Sequence, residues 1–233
     1  MSEGRLDFRL GAILATSFTG TLSERQGDRI ERIRTPDRLL AWLSISGLDV
    51  ETCTDDELDL ARELREAIPL AATAAALGDL LPASALATIN DRSRSGRAAP
   101  VLLESGERRW ELGPPPTVAD ALSVIAADAI SILSGERGGR LALCASPTCR
   151  AAFFDTSRSR SRRWCDMNTC GNREKKARFK ARHRPPSEAG AAGDPGCGAH
   201  PRIAHRIHCR RPCRCPLHGL EWSHARHHDS RPG

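Results

Sequence analysis

Three scarcities narrow the chemistry of this chain before any motif is read. It has no tyrosine, it has only three lysines against 32 arginines, and its first histidine is His183. Residues 1–174 therefore hold no lysine, histidine or tyrosine, and the only general bases left there are carboxylates, of which no spacing singles out a pair. Cys53 is the one thiol before residue 144. With no histidine to activate it, it reads as a small buried apolar residue rather than a nucleophile. The expectation is a protein that is not an enzyme.

Long apolar runs are also missing. The nearest candidate, VADALSVIAADAISIL over 118–133, is interrupted by Asp120 and Asp128, which hydrocarbon tolerates at high cost. No membrane span is expected. The opening MSEGRLDFRL lacks the apolar centre of a secretory signal, so a cytoplasmic location is expected. In a reducing compartment, paired cysteines read as metal ligands before disulfides.

Charge is distributed unevenly. The whole chain carries +6, but residues 1–149 balance at −6, residues 150–184 at +9 and residues 185–233 at +3. An acidic body joined to a compact basic segment points to a polyanionic partner at one end.

Helical signals dominate residues 1–140. Thr35 and Pro36 open TPDRLLAWL as N-cap and first helical residue. Thr54 and Glu57 form a capping box ahead of Leu58, Ala61, Leu64, Ala67 and Ile68, which recur at helical spacing. Pro69 is expected to kink or restart that helix. A third helix is predicted from Pro82 to near Asn90, and a short hairpin over 100–112, around the Ser-Gly-Glu turn. Thr117 then caps a strong helix to Leu133. Gly135, Gly138 and Gly139 read as a hinge into the next segment.

That segment holds Cys144-x4-Cys149 and, fifteen residues on, Cys165-x4-Cys170. Four thiolates complete the tetrahedron of Zn²⁺ and leave no open position for water, so the expected ion is structural. A module of this size buries too little apolar surface to fold alone. Zinc binding supplies on the order of 10–16 kcal/mol in comparable peptides. RAAFFD (150–155) is predicted to run out and RRWC (162–165) to return as a hairpin, with Phe153, Phe154 and Trp164 as its core, followed by a helix over 170–184. The surface is cationic. Arg158, Arg160, Arg162 and Arg163 fall on the hairpin, and Arg173, Lys175, Lys176, Arg178, Lys180, Arg182 and Arg184 on the helix. These eleven are the candidate nucleic-acid contacts.

The run LALCASPTCRAAFFDTSRSRSRRWCDMNTCGNREKKARFKARHR, with Cys170-Gly171-Asn172-Arg173 preceded by Arg-Arg-Trp-Cys at 162–165, closely resembles the CGNR zinc finger. RIRTPDRLLAWLSISGL and LARELREAI resemble the ABATE domain that accompanies this finger, a domain regarded as a stress-induced transcriptional regulator. The resemblance spans roughly residues 7–184 and implies DNA-linked regulation. The chain departs from the family's usual Leu-Ala-Leu-Asp-Phe-Val-Asn-Thr, carrying Ser17 and Gly20 where an acid and an amide are common.

The expected architecture is a mainly α N-terminal domain with a short β-hairpin (1–140), a small treble-clef-like zinc finger of hairpin plus helix (141–184), and a disordered or out-of-frame tail (185–233). In that tail, Cys209, Cys213, Cys215 and His218 could be taken for a second metal site, but their spacing is irregular for a zinc knuckle. The expected function is zinc-dependent binding of duplex DNA, with the body sensing a small molecule or a protein. Two readings compete: an RNA- or ribosome-associated zinc protein, and a protein-interaction adaptor.

Overall fold

The computed structural model describes Phe8 and residues 10–183; Arg184 and the tail reading lie outside the described residues. The body is helical: α1 (Leu14–Thr19), α2 (Pro36–Ile45), α3 (Asp55–Leu77), α4 (Ala83–Ser95) and α5 (Val118–Leu133). Three two-stranded antiparallel hairpins accompany it: β1 (Leu22–Ser23) with β2 (Ile30–Glu31), β3 (Ala99–Leu102) with β4 (Arg108–Glu111), and β5 (Arg140–Leu143) with β6 (Ala152–Asp155). A wide turn, Met167–Gly171, leads into α6 (Asn172–Arg182). Among the described residues, no helix is long and apolar enough to cross a membrane.

The helix starts follow the capping chemistry. Thr35 Oγ1 accepts from the Arg38 N–H, and both Thr54–Glu57 and Thr117–Asp120 close reciprocal boxes. Each satisfies backbone donors that the first helical turn leaves without partners. Gly78, at φ +79°, ends α3 in the left-handed region that side chains disfavour.

Pro69 does not restart the helix: α3 runs through it from Asp55 to Leu77. Leu64, Ile68, Ala71 and Ala72 bury one continuous stripe on both sides of it. Packing that stripe favours continued helix through a position where one hydrogen bond is lost. Likewise α4 runs to Ser95 rather than ending near Asn90.

The core gathers Phe18, Ile33, Leu39, Trp42, Leu43, Leu64, Ile68, Leu122 and Ile125, all nearly or fully buried. Phe18 and Trp42 pack with ring centroids 5.0 Å apart. Each such side chain contributes about 1.5–3 kcal/mol relative to exposure. The two aspartates of α5 are buried with partners. Asp128 Oδ2 accepts from the Ala15 N–H at 2.8 Å, tying the start of α1 to α5, and its Oδ1 pairs with Arg137 at 2.8 Å. Asp120 accepts from the N–H groups of Thr117 and Arg97. Burial raises the Asp120 pKa, but these bonds and the Thr117 hydroxyl outweigh it and hold the carboxyl below the ordinary aspartate value.

The hairpin beside the cysteines pairs differently from the sequence expectation. Residues 150–155 were predicted to pair with 162–165, but Leu141 faces Phe154 and Ala142 faces Phe153, so the partner strand precedes Cys144. The return segment cannot form a strand. Asp155 Oδ1 accepts from the Ser157 N–H at 2.9 Å and Oδ2 from the Arg162 N–H at 2.8 Å, drawing 156–162 into a closed loop.

Strand β6 is buried along its whole length. Side chains alternate across a strand. Phe154 and Leu141 join the core of the helical body, while Phe153 and Ala142 join the small core around the cysteines. Gly139 is part of this packing rather than a hinge: a Cβ there would lie 2.4 Å from the Phe154 ring. Residues 10–183 thus fall within one compact unit.

Candidate metal centre and cationic surface

The hairpin turn and the start of α6 bring the four cysteines together. Cys144 directly follows β5, and its N–H donates to Ala151 O at 2.9 Å. The turn doubles back through N–H donation from Cys149 and Arg150 to Ser146 O, with Arg150 at φ +48°. The second pair is shaped by Asp166, whose Oδ1 accepts from the Asn168 N–H at 2.6 Å and whose Oδ2 accepts from the Thr169 hydroxyl at 3.2 Å. The Ala145 N–H donates to Arg163 O at 2.8 Å and stitches the two loops.

The four Sγ atoms lie within 4.8 Å of one another, and Cys144, Cys149 and Cys170 are buried. Two separations, Cys149–Cys165 and Cys165–Cys170, are 3.7 Å. A disulfide needs about 2.05 Å. Four sulfurs each about 2.3 Å from one zinc stand about 3.8 Å apart at the edges of a tetrahedron. The spacing fits zinc, and the cysteines form the site of one structural Zn²⁺. The ionisation pattern agrees. Hydrogen bonds from Cys149 and Cys165 lower the Cys144 thiol, whereas sharing the same site with Cys144 raises Cys165, and burial pushes Cys170 up to about 12. Thiols this close cannot all ionise without a cation among them. Cys53 is remote from this cluster. Burial, then the carboxylates of Glu57 and Asp55, push it up to about 11, so its thiol stays protonated at neutral pH.

The finger is fastened to the body at a point the sequence did not single out. Glu24, at φ +52°, presents its carboxylate to Arg173. Arg173 Nη2 donates to Glu24 Oε1 at 2.7 Å, and Nη1 pairs with Oε2 in the second arm of a bidentate contact. Thr148 completes the knot: its hydroxyl donates to Glu24 Oε2 at 2.7 Å and lies 2.6 Å from Arg173 Nη1. The Gln26 N–H donates to Thr148 O at 3.0 Å. The β1–β2 segment carrying Glu24 is itself anchored to α3, where buried Arg65 reaches Glu31 at 2.6 Å. Hydrogen bonding to Glu24 raises the Arg173 pKa further. Thr148 directly precedes ligand Cys149, and Arg173 follows ligand Cys170 by three positions, so the clamp grips both halves of the metal site.

The other sequence-predicted cations are placed as follows. Arg158 and Arg160 lie on the exposed 156–162 loop. Arg162 Nη2 donates to Cys165 O at 2.7 Å, and its guanidinium lies 5.4 Å from the Phe153 ring centroid. Arg163 lies 5.1 Å from the centre of a Trp164 ring. Lys175, Lys176, Arg178, Lys180 and Arg182 are exposed on α6, a helix with no buried residue.

A cleft of about 460 Å³ separates part of the body from the finger. Leu10, Ser17 and Leu22 contribute to one wall, and Phe153, Met167 and Cys170 to the other. Ser17 and Gly20, where the sequence departs from its family's usual residues, both line it. Ser17 serves a turn there: its Oγ donates to Ile13 O at 2.8 Å and accepts from the Gly11 N–H at 2.7 Å.

Two family models match. ABATE, described as "Putative stress-induced transcription regulator", covers residues 13–136, and the CGNR zinc finger covers residues 140–183. No curated protein matches the chain.

Proposed function

Because the chain belongs to the ABATE family and carries a CGNR zinc finger, we propose that it is a zinc-dependent transcriptional regulator whose finger binds duplex DNA and whose helical body senses a signal. The observation that carries this reading is α6, a helix with no buried residue that bears five exposed cations beside a closed metal site. Zinc bound to the four thiolates supplies cross-linking, not chemistry: it holds the hairpin turn against the first turn of α6. With four protein ligands no coordination position is left for water or substrate, which favours a binding protein over an enzyme. The cleft favours a place for the signal, since a molecule seated there touches body and finger together.

The test is the salt dependence of DNA binding by zinc-loaded protein. If Lys175, Lys176, Arg178, Lys180 and Arg182 reach phosphates, log K falls against log salt with a slope of about −4.5. Lys176→Ala flattens it by about one unit and weakens all sequences alike. Binding that ignores salt, or structured RNA outcompeting duplex DNA at matched salt, removes the proposal.

A further inference from the structure

Phosphate binding alone does not account for one residue of α6. Phe179 stands 64 % exposed in the middle of this cationic helix, its ring stacked on His183 with centroids 4.1 Å apart and planes 28° from parallel. The His183 Nδ1 atom lies 2.9 Å from Phe179 O, which fixes the imidazole beside the ring. Both side chains are exposed. An exposed ring by itself is ordinary; what distinguishes this one is the arrangement of charges around it.

The placement of the charges around Phe179 is ordered. At about 100° per residue, Lys175 and His183 lie about 40° from Phe179, and Lys176 and Arg182 about 60°. Arg178 and Lys180 flank this face at about 100°, whereas Glu174, Ala177 and Ala181 occupy the opposite side, beyond about 140°. Arg173, at about 120°, is turned to Glu24. The face is an aromatic centre with a cationic rim. It fits a nucleotide, whose base offers a flat π surface and whose flanking phosphates are anionic. In a fully paired duplex the base faces are covered by their neighbours, so such a ledge gains its contact only where a base is unstacked.

We propose that α6 holds an unstacked base on Phe179, so that nucleic acid with an opened or single-stranded step binds more tightly than the same sequence fully paired. This rests on the nucleic-acid reading above and narrows it. The experiment measures anisotropy with three labelled probes: a paired duplex, that duplex with a central unpaired bubble, and one of its strands. Zinc-loaded full-length protein, Phe179→Ala and Phe179→Trp are compared across salt. Stacking on one base gives the wild type about a 5- to 100-fold preference for the bubble over the paired duplex. Phe179→Ala loses that preference but keeps its affinity for the paired duplex and its salt slope, and Phe179→Trp restores the preference. The proposal is overturned if wild type shows no preference, or if Phe179→Ala keeps it. It is also overturned if Phe179→Ala changes the sedimentation coefficient, which would make Phe179 a contact between copies of this chain. Absence of salt-dependent binding to every probe is a different failure, of the nucleic-acid reading itself.

Discussion

The two halves of the finger are built on opposite plans. The β5–β6 hairpin is walled on both faces, with Phe154 in the body core and Phe153 in the metal core. Helix α6 has no buried side chain at all. One half is anchored by packing and the other is held at its N-terminal end, through Cys170 in the preceding turn and the Arg173–Glu24 clamp. The contrast divides the module: the hairpin takes its position from the body, and the helix is left exposed.

Removing the metal is the strongest way to break this contrast. Cys170→Ser is expected to lose the ion and unfold α6, and because β6 belongs to both cores it is expected to lower the melting temperature of the helical body as well. Calorimetry with and without chelator checks this; a body transition that stays unchanged would mean that the shared strand does not couple the cores. Next in size, Phe154→Ala is expected to cost about 3–5 kcal/mol in urea unfolding. Phe179→Ala, by contrast, should stay within about 0.5 kcal/mol of wild type. Comparable costs for the two phenylalanines would erase the distinction between the halves.

Smaller effects sharpen it. Glu24→Gln is expected to cost about 1–2 kcal/mol, between the values for buried and exposed pairs, since the Glu24 side chain is 12 % exposed and that of Arg173 41 %. The paired reversal Glu24→Arg with Arg173→Glu should recover part of that loss and of any loss in zinc affinity. The smallest is a pH effect. In Asp155, burial raises the pKa, but the bonds from Ser157 and Arg162 outweigh it and leave it below the ordinary value, as in Asp120. Their stabilisation is fully present above about pH 4, the unfolded value, and is lost as pH falls through the lowered folded values. Asp155→Asn should therefore differ from wild type at neutral pH and converge with it in acid, as measured by unfolding at each pH.

The metal site was legible because its signal is local: paired thiols at matched spacing state their chemistry without knowledge of the fold. Helix starts were legible for the same reason, since a Thr with an acid three residues on satisfies its own backbone. The strand partner was not. RAAFFD read as a strand and AFFD within it forms one, but two adjacent phenylalanines can mean one buried face or two, and only the body's core decides that Leu141 lies opposite Phe154. A restart at Pro69 was expected from local backbone cost alone, without the buried stripe that carries α3 through it. Glu24 carried no signal: 149 positions separate it from Arg173, and an acid in a polar turn is ordinary until the finger folds back onto it. The ledge on α6 was half visible, since the charges were counted and the phenylalanine among them was not.

The dual burial of β6 also bears on how the protein is made. Phe154 completes a core whose other buried members run from Ile13 to Ile132, so the body cannot close its packing until residue 154 has left the ribosome. Until then, the socket that Phe154 fills remains open to water and to chaperones, as transiently exposed apolar surface does in any nascent chain. The ligands Cys165 and Cys170 emerge later still, which makes capture of the ion a late step in synthesis. A ribosome that stalls before the second cysteine pair would leave the finger without two of its four ligands, and metal loading would double as the mark of a chain synthesised through Cys170.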